Sequence, residues 1–400
     1  MGVRATPRLL PAALVALVLL AGPATASAQE RPRLTGAVSA IVVDARDGTV
    51  LLAKNPRARR SIASTTKLMT ALLTLERSRS SRMFRGTDYQ AGAVESKINL
   101  ADGERMRVGD LLEALLLESA NDAAVALAQG VSGSRPAFVQ DMNARARELG
   151  LRGTSYANPI GLDDPSNYST AADLSTLARR LLRNRRFAQI VRMPSARLES
   201  GSRRRAVDNR NDLVREGVRP VTGVKTGHTG SAGYVLVGSA QAPNGARVVS
   251  VVLGEPSEGA RDEDSLAALR WGLAQYRRVG VLEADRPLAR ADVELRSERV
   301  ALVPAGDLNL TLRRGQRVRK RVDAPGEVEG PLPAGRRVGS VDVLEGGRVV
   351  RRVPLVTAAE VEGASFANRM LHSVAGPLTL LGALAILIGV TALVMRRVRA

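Results

Sequence analysis

Residues 221–253 read VTGVKTGHTGSAGYVLVGSAQAPNGARVVSVVL, and their texture decides the fold. Residues 221–225, 234–238 and 247–253 alternate or run apolar, as strands do. Asn244-Gly245, between the last two runs, is a tight-turn pair. Immediately downstream, Leu266, Leu269 and Trp271 predict a helix over about 262–276. Far upstream, residues 37–43 form another β-rich run, which Asp47-Gly48 turns back into 49–53. Between these two β regions, from Ser61 to about Pro220, the pattern is mainly helical. Leu68, Leu72 and Leu75 recur at helical intervals, and Asp110 with Glu113 suggests a capping box ahead of 111–117. Strands at both ends of 29–278 with helices between them predict one α/β unit. It would be an antiparallel sheet fed from both ends, flanked by helices and carrying an inserted helical region. From 279 to 356 the texture changes to short strands (291–295, 308–312, 338–343, 348–355) punctuated by Pro325, Pro331, Pro333 and Gly346-Gly347. This predicts a small all-β domain.

The two ends of the chain read as targeting segments. Residues 1–28 have Arg4 and Arg8, an apolar run and Ala26-Ser27-Ala28, the pattern of a secretory signal cleaved before Gln29. After a juxtamembrane stretch, 357–373, residues 374–395 contain no charge and are long enough for a transmembrane helix. Arg396, Arg397 and Arg399 in the tail 396–400 would stay cytoplasmic. The body is therefore expected outside the cytoplasmic membrane as a single-pass protein touching membrane lipid through its C-terminal helix.

Composition removes several chemistries. The formal charge is +20, mostly from arginine, yet aromatics are 2%, so base stacking on nucleic acid is not expected. With no cysteine there are no disulfides, thiolate metal sites or cysteine nucleophiles. Only two histidines occur, and His372 adjoins the expected membrane segment, which leaves a serine–histidine triad little material. A serine nucleophile here needs another base.

Three short motifs supply one: Ser64-Thr65-Thr66-Lys67, Ser119-Ala120-Asn121 and Lys225-Thr226-Gly227. A spacing of three on a helix puts Ser64 and Lys67 on one face. A serine hydroxyl becomes a nucleophile when an adjacent base takes its proton. A buried lysine near another cation, such as Lys225, loses its charge readily, whereas arginine does not. Two of only five lysines in an arginine-rich chain fall at these motif positions. Ser119-Ala120-Asn121 sits between two helical runs, where a polar turn can face a cleft. Lys225-Thr226-Gly227 lies on an expected strand, its glycine allowing close approach to a ligand.

The ordered set resembles the active site of penicillin-recognising serine enzymes. The stretches SIASTTKLMTAL (61–72), SANDAAVALA (119–128), NPIGLDDP (158–165), NRN (209–211) and VKTGHT (224–229) are similar to low-molecular-mass D-alanyl-D-alanine carboxypeptidases in particular. The resemblance covers about 37–278, and the β domain with C-terminal anchor matches more loosely. It implies Ser64 as the acylated nucleophile, Lys67 as general base and Ser119 as proton relay to the leaving amine. It also implies Asn121 on the substrate amide, Lys225 supplying positive potential and Thr226 on the terminal carboxylate. Gly227 completes the third motif, Arg261 lies near the carboxylate pocket, and the backbone N–H groups of Ser64 and His228 form the oxyanion hole. Peptidoglycan stem peptides would be substrates and β-lactams inhibitors, with no cofactor and no metal. Ile160 departs from the family, which often has a polar residue there. Rival readings are a DD-endopeptidase, a serine β-lactamase or a catalytically silent wall-binding protein. A related β-lactamase needs a glutamate between 156 and 170, where this chain has only Asp163 and Asp164.

Overall fold

The computed structural model describes residues 30–372 and 375–398. The expected signal 1–28 and the last two residues of the expected tail lie outside the described residues.

A five-stranded antiparallel sheet runs in the order Val50–Lys54, Ser39–Asp44, Arg247–Glu255, Gly233–Gln241, Val221–Thr229. Ala40 lies opposite Val252 and Val42 opposite Ser250, so the N-terminal strand closes on the last strand of the C-terminal set. The sheet is thus fed from both ends of the chain, as expected. Side chains alternate between faces along a strand. Ile41 and Val43 accordingly join Val249, Val251 and the helical region in one core. Ala40 and Val42 join Val248, Val252 and the closing helix in another. Burial on both faces explains why these strands read as apolar runs.

Three local expectations change. The closing helix is Glu258–Ala274, beginning four residues before 262 because Ser257 caps it, accepting from Ala260 N at 3.1 Å. The capping box at Asp110 is not formed. The helix there starts at Val108, which leaves Asp110 inside its first turn, where it accepts from Ser200 N at 2.8 Å. Glu113 pairs instead with Arg186. The helical region also holds two small hairpins, Met83–Arg85 with Arg105–Arg107 and Ser195–Leu198 with Arg205–Asp208. Runs of three or four residues give too little alternation to be read from sequence.

The following β-rich region has its own core around Val281, Leu302, Val341, Val343 and Leu355. Tyr276–Leu282 pairs with Leu308–Arg313 and runs through the expected boundary at 278/279. Six further strands form a sheet in the order Val318–Asp323, Arg337–Glu345, Arg348–Thr357, Arg299–Pro304, Ala289–Val293, Glu327–Val328. The basic run 317–321 forms most of an edge strand, where exposed charge discourages pairing with another chain. The helices Phe366–His372 and Ala375–Val398 follow. The described side chains of the second begin at Leu381. Among the described residues no helix is long and apolar enough to cross a membrane.

Candidate active site

Ser64 lies in a tight 3-10 turn, Ala63–Thr66, that leads into the helix Lys67–Arg77. Ala63 is left-handed at φ +45°, a conformation that costs a non-glycine residue energy and that its surroundings must hold. Two glycines clasp the turn. A β-carbon on Gly227 would lie 2.9 Å from Ser64 N, and one on Gly161 would lie 2.0 Å from the Ala63 carbonyl oxygen. Only glycine lets the strand Val221–Thr229 and the 158–162 loop approach the nucleophile this closely.

Lys67 is completely buried. Its Nζ lies 2.9 Å from Ser64 Oγ and donates to the Ile160 carbonyl at 2.5 Å. Burial, then the positive charge of Lys225, drives its pKa well below the ordinary 10.5, against the opposing pull of Glu95 and Asp122. Lys225 is also buried, donating to the Thr226 carbonyl at 2.9 Å. Burial, with Arg261 and Arg210 nearby, lowers it to about 7. The two lysines therefore crowd each other electrostatically in a region that disfavours charge.

Ser119 is buried and left-handed at φ +63°, directly after a π-helical turn, Ala114–Glu118, that packs on the Lys67–Arg77 helix. Such turns are frequent at functional sites. Asn121 opens the helix Asn121–Ser132, and its Nδ2 donates to Glu95 Oε2 at 2.6 Å. The Tyr89 hydroxyl donates to the same oxygen. Thr226 is buried, its hydroxyl 3.4 Å from the Arg210 carbonyl. Arg210 itself pairs with Glu118, the last residue before Ser119. His228 is exposed, its ring stacked at 4.0 Å on Tyr234. Arg261 is 2% exposed rather than a free charge at a helix start. Its guanidinium is held by Glu258 at 3.0 Å and Asp262 at 2.9 Å, so it acts on Lys225 through its field.

Sequence reasoning missed the residues that hold this arrangement. Asn158 Oδ1 accepts from the backbone N–H groups of Ile160, Gly161 and Leu162, at 3.2, 2.7 and 3.2 Å. It thereby shapes the loop that delivers the Ile160 carbonyl to Lys67. Position 160 serves through its backbone, which is why an apolar side chain is tolerated there. Thr70 Oγ1 donates to the Pro159 carbonyl at 2.6 Å and fastens the same loop to the lysine's helix. Asn-Pro-x-Gly is a turn signature, so the loop was legible although its target was not. Glu95 carried no local signal at all. Asp163 accepts from Thr229 Oγ1 at 2.7 Å and Asp164 from Ser166 N at 2.7 Å, so both carboxylates are occupied in holding loops.

The chemistry available is that of a serine hydroxyl beside a buried lysine whose charged form burial and Lys225 disfavour. A hydroxyl beside such a base, on an α/β scaffold, is the arrangement that serine acyl transfer requires. Residues 25–257 match the family described as D-alanyl-D-alanine carboxypeptidase, and residues 276–363 match the penicillin-binding protein 5 C-terminal domain. The D-alanyl-D-alanine carboxypeptidase DacF of Bacillus subtilis is 30% identical over 374 residues, covering 90% of this chain and 96% of that protein. The solved penicillin binding protein 5 of Haemophilus influenzae is 30% identical with a TM-score of 0.59, covering 83% of this chain and 99% of that one. An S96A mutant of the Streptomyces K15 DD-transpeptidase is 31% identical with a TM-score of 0.57, covering 60% of this chain and 98% of that one. The chain belongs to the D-alanyl-D-alanine carboxypeptidase family of serine peptidases.

Proposed function

We propose that this chain removes the terminal D-alanine from peptidoglycan pentapeptides through an acyl-enzyme on Ser64. The observation that carries the reading is Lys67, fully buried, with its Nζ 2.9 Å from Ser64 Oγ and its charge disfavoured. Neutral Lys67 takes the Ser64 proton as Oγ attacks the carbonyl of the penultimate D-alanine. The oxyanion forms against the backbone N–H groups of Ser64 and His228. The C–N bond then breaks, and Ser119 passes a proton to the departing D-alanine amine. Water attacks the ester in a second step and restores the hydroxyl. Asn121 holds the peptide amide after exchanging Glu95 for substrate. Lys225 and Thr226, with the field of Arg261 behind them, receive the terminal carboxylate.

Among related activities, a β-lactamase role is disfavoured because Asp163 and Asp164 already serve loop hydrogen bonds. Hydrolysis and transfer to an amine differ only in the acceptor at the second step, as does cleavage of cross-links in the peptide attacked. The test is mass spectrometry of a pentapeptide ending in D-Ala-D-Ala, alone and with a free amine acceptor. Release of one D-alanine, lost in Ser64→Ala, supports the reading. Release that survives Ser64→Ala overturns it.

We further propose that residues 29–278 act as the catalytic unit, that 279–356 serve as a separate β module, and that 374–395 anchors the chain. The support for an anchor is the uncharged run 374–395, followed by Arg396 and Arg397. Leu381, Leu384, Ile386, Leu387 and Ile388 are exposed and would face lipid. A chain ending at Thr357 should then be soluble and still acylated by penicillin. Retention of that truncation in membranes rejects the anchor.

A further inference from the structure

At the end of the five-stranded sheet away from Ser64 lies a cavity of about 960 Å³. It is lined by Thr222, three residues before Lys225 and six before His228 on the same strand. At about 3.3 Å per residue that places it about 10 Å from Lys225 and about 20 Å from His228 along the strand. Tyr276 and Thr311 bring the β-rich region to its wall.

The lining carries six arginines, Arg46, Arg179, Arg183, Arg185, Arg192 and Arg247, and a single carboxylate, Asp44. Asp44 is already spent. It accepts from the Tyr276 hydroxyl at 2.7 Å and from Arg46 N at 2.7 Å. Arg179 reaches only the backbone carbonyls of Ala45 and Arg46, each at 3.2 Å, and Arg192 only Gln241 at 3.1 Å. Arg46 has a loose surface pair with Glu345 at 3.4 Å. Arg183, Arg185 and Arg247 have no side-chain partner among the described residues. Some arginines elsewhere are matched: Arg205 by Glu104, Arg145 by Glu76 and Glu148, Arg261 by Glu258 and Asp262. The excess of arginine is general in this chain, and what distinguishes this cluster is that six of them line one concavity. The carboxylates that act on it are Asp44, Asp47 and Glu345, fewer than its six arginines.

Part of the arrangement is built in. Gly48 sits at φ +82°, and a β-carbon there would lie 2.2 Å from an Arg179 guanidinium nitrogen. The bare glycine is what lets that side chain fold over the turn. Burial, then the neighbouring Arg183, also lower the Arg179 pKa against the opposing pull of Asp47 and Asp44.

We propose that this cavity is a binding site for a linear ligand carrying two or more phosphoryl groups. A concave surface of one sign concentrates counter-charge. Guanidinium forks pair bidentately with phosphate oxygens, and a tetrahedral phosphoryl group accepts them from several directions. Here the arginines converge from the turn after Ser39–Asp44, the end of the helix Ala171–Leu182, the helix Arg185–Ile190 and the strand Arg247–Glu255. Thr222, Ser239 and Gln241 add neutral polar groups. The only aromatic ring in the lining, Tyr276, is tied to Asp44, so nothing there is placed to stack on a nucleobase. The volume exceeds what one phosphate fills.

The probe is tripolyphosphate, titrated calorimetrically into the full chain at low salt, with inorganic phosphate and anionic phospholipid vesicles as separate arms. One tripolyphosphate should bind per chain, more tightly than phosphate. Arg183→Glu and Arg247→Glu should each weaken it about 10- to 100-fold, the range for losing a charge-assisted hydrogen bond. Arg204→Glu, at a site 90% exposed and outside the cavity lining, is the charge control and should lose much less. Arg183 and Arg247 are exposed, and wild-type penicillin acylation in each variant establishes that it is folded. Arg183→Gln provides a neutral substitution in the same place. Equal losses in the cavity and control variants overturn the proposal. So does binding to vesicles with none to tripolyphosphate.

Discussion

The same sheet carries concentrated positive charge at both ends, but the two ends use different residues for it. At the serine end the cations are Lys67 and Lys225, fully buried, with no carboxylate in ion-pair contact. At the far end they are arginines opening onto a cavity. Burial beside a like charge favours neutral lysine, whereas guanidinium stays protonated. In the mechanism proposed above, crowding at the serine end makes a proton acceptor, whereas the far end keeps its charge. If both proposals hold, the kind of basic residue, more than the amount of charge, separates chemistry from binding in this chain.

The largest expected effect exchanges the two kinds of residue. Lys67→Arg keeps the charge but removes the acceptor, so penicillin acylation of Ser64 should fall about 100- to 10,000-fold, the usual weight of general-base catalysis. Lys67→Ala should fall about as far, because groups acting as a unit are non-additive. The check is the second-order acylation rate of both variants. A nearly active Lys67→Arg enzyme would erase the distinction between the two ends.

Next in size is the loop that holds the lysine. In Gly161→Ala the new β-carbon meets the Ala63 carbonyl, at a residue whose φ is +92°. The loop must shift and take the Ile160 carbonyl away from Lys67. Acylation should drop about 100-fold, the cost of a misplacement of about 1 Å. Asn158→Ala should move in the same direction by less. Unchanged rates, with circular dichroism confirming the fold, would mean that the carbonyl is dispensable.

These two tests also mark what could be read beforehand. Ser64, Lys67, Ser119, Asn121 and Lys225 could be nominated because each sits in a short local pattern with a chemical reason, and the structure sets Lys67 Nζ 2.9 Å from Ser64 Oγ. The sheet fed from both ends was legible because long apolar strands have a strong period. Ile160 O and Glu95 were not legible: one is a backbone atom 93 residues from Lys67, and the other reaches Asn121 across 26 residues. Asp110 and Glu113 had the spacing of a cap, but tertiary partners, Ser200 and Arg186, claimed them. The arginine cavity was invisible for the same reason. Its residues come from segments spread over some two hundred positions and look like ordinary surface charge until the fold gathers them.

A smaller effect separates the two lysines by pH. Lys67 must be neutral and Lys225 charged, so acylation should rise with pH as the first loses its proton. It should then fall as the second does so, near its pKa of about 7. The two titrate as a coupled pair, and the limbs belong to the pair. Lys225→Arg cannot lose its charge, so the falling limb should disappear, with a cost of about tenfold or less at about pH 6 because positive potential is retained. A falling limb that persists in Lys225→Arg would assign it to another group.

The smallest effect asks whether titratable groups near the serine end generally resolve crowding by moving protons. Glu255 ends the strand Arg247–Glu255, opposite Tyr234, whose other neighbour is His228. It is 1% exposed, and neither of its carboxylate oxygens has a hydrogen-bond partner. Burial, with Asp264 beside it, raises its pKa from 4.5 to about 7. In that window the folded chain binds more proton than the unfolded one, so stability must fall as pH rises. The contribution of Glu255 is complete below pH 4.5 and is lost as pH climbs through 7. Glu255→Gln fixes the neutral form, so its melting temperature should change less between about pH 5 and 8. The wild type should lose on the order of a few degrees over the same range. Parallel melting profiles for the two proteins would show that Glu255 does not titrate there. The contrast between titrating and permanently charged groups would then rest on the lysines alone.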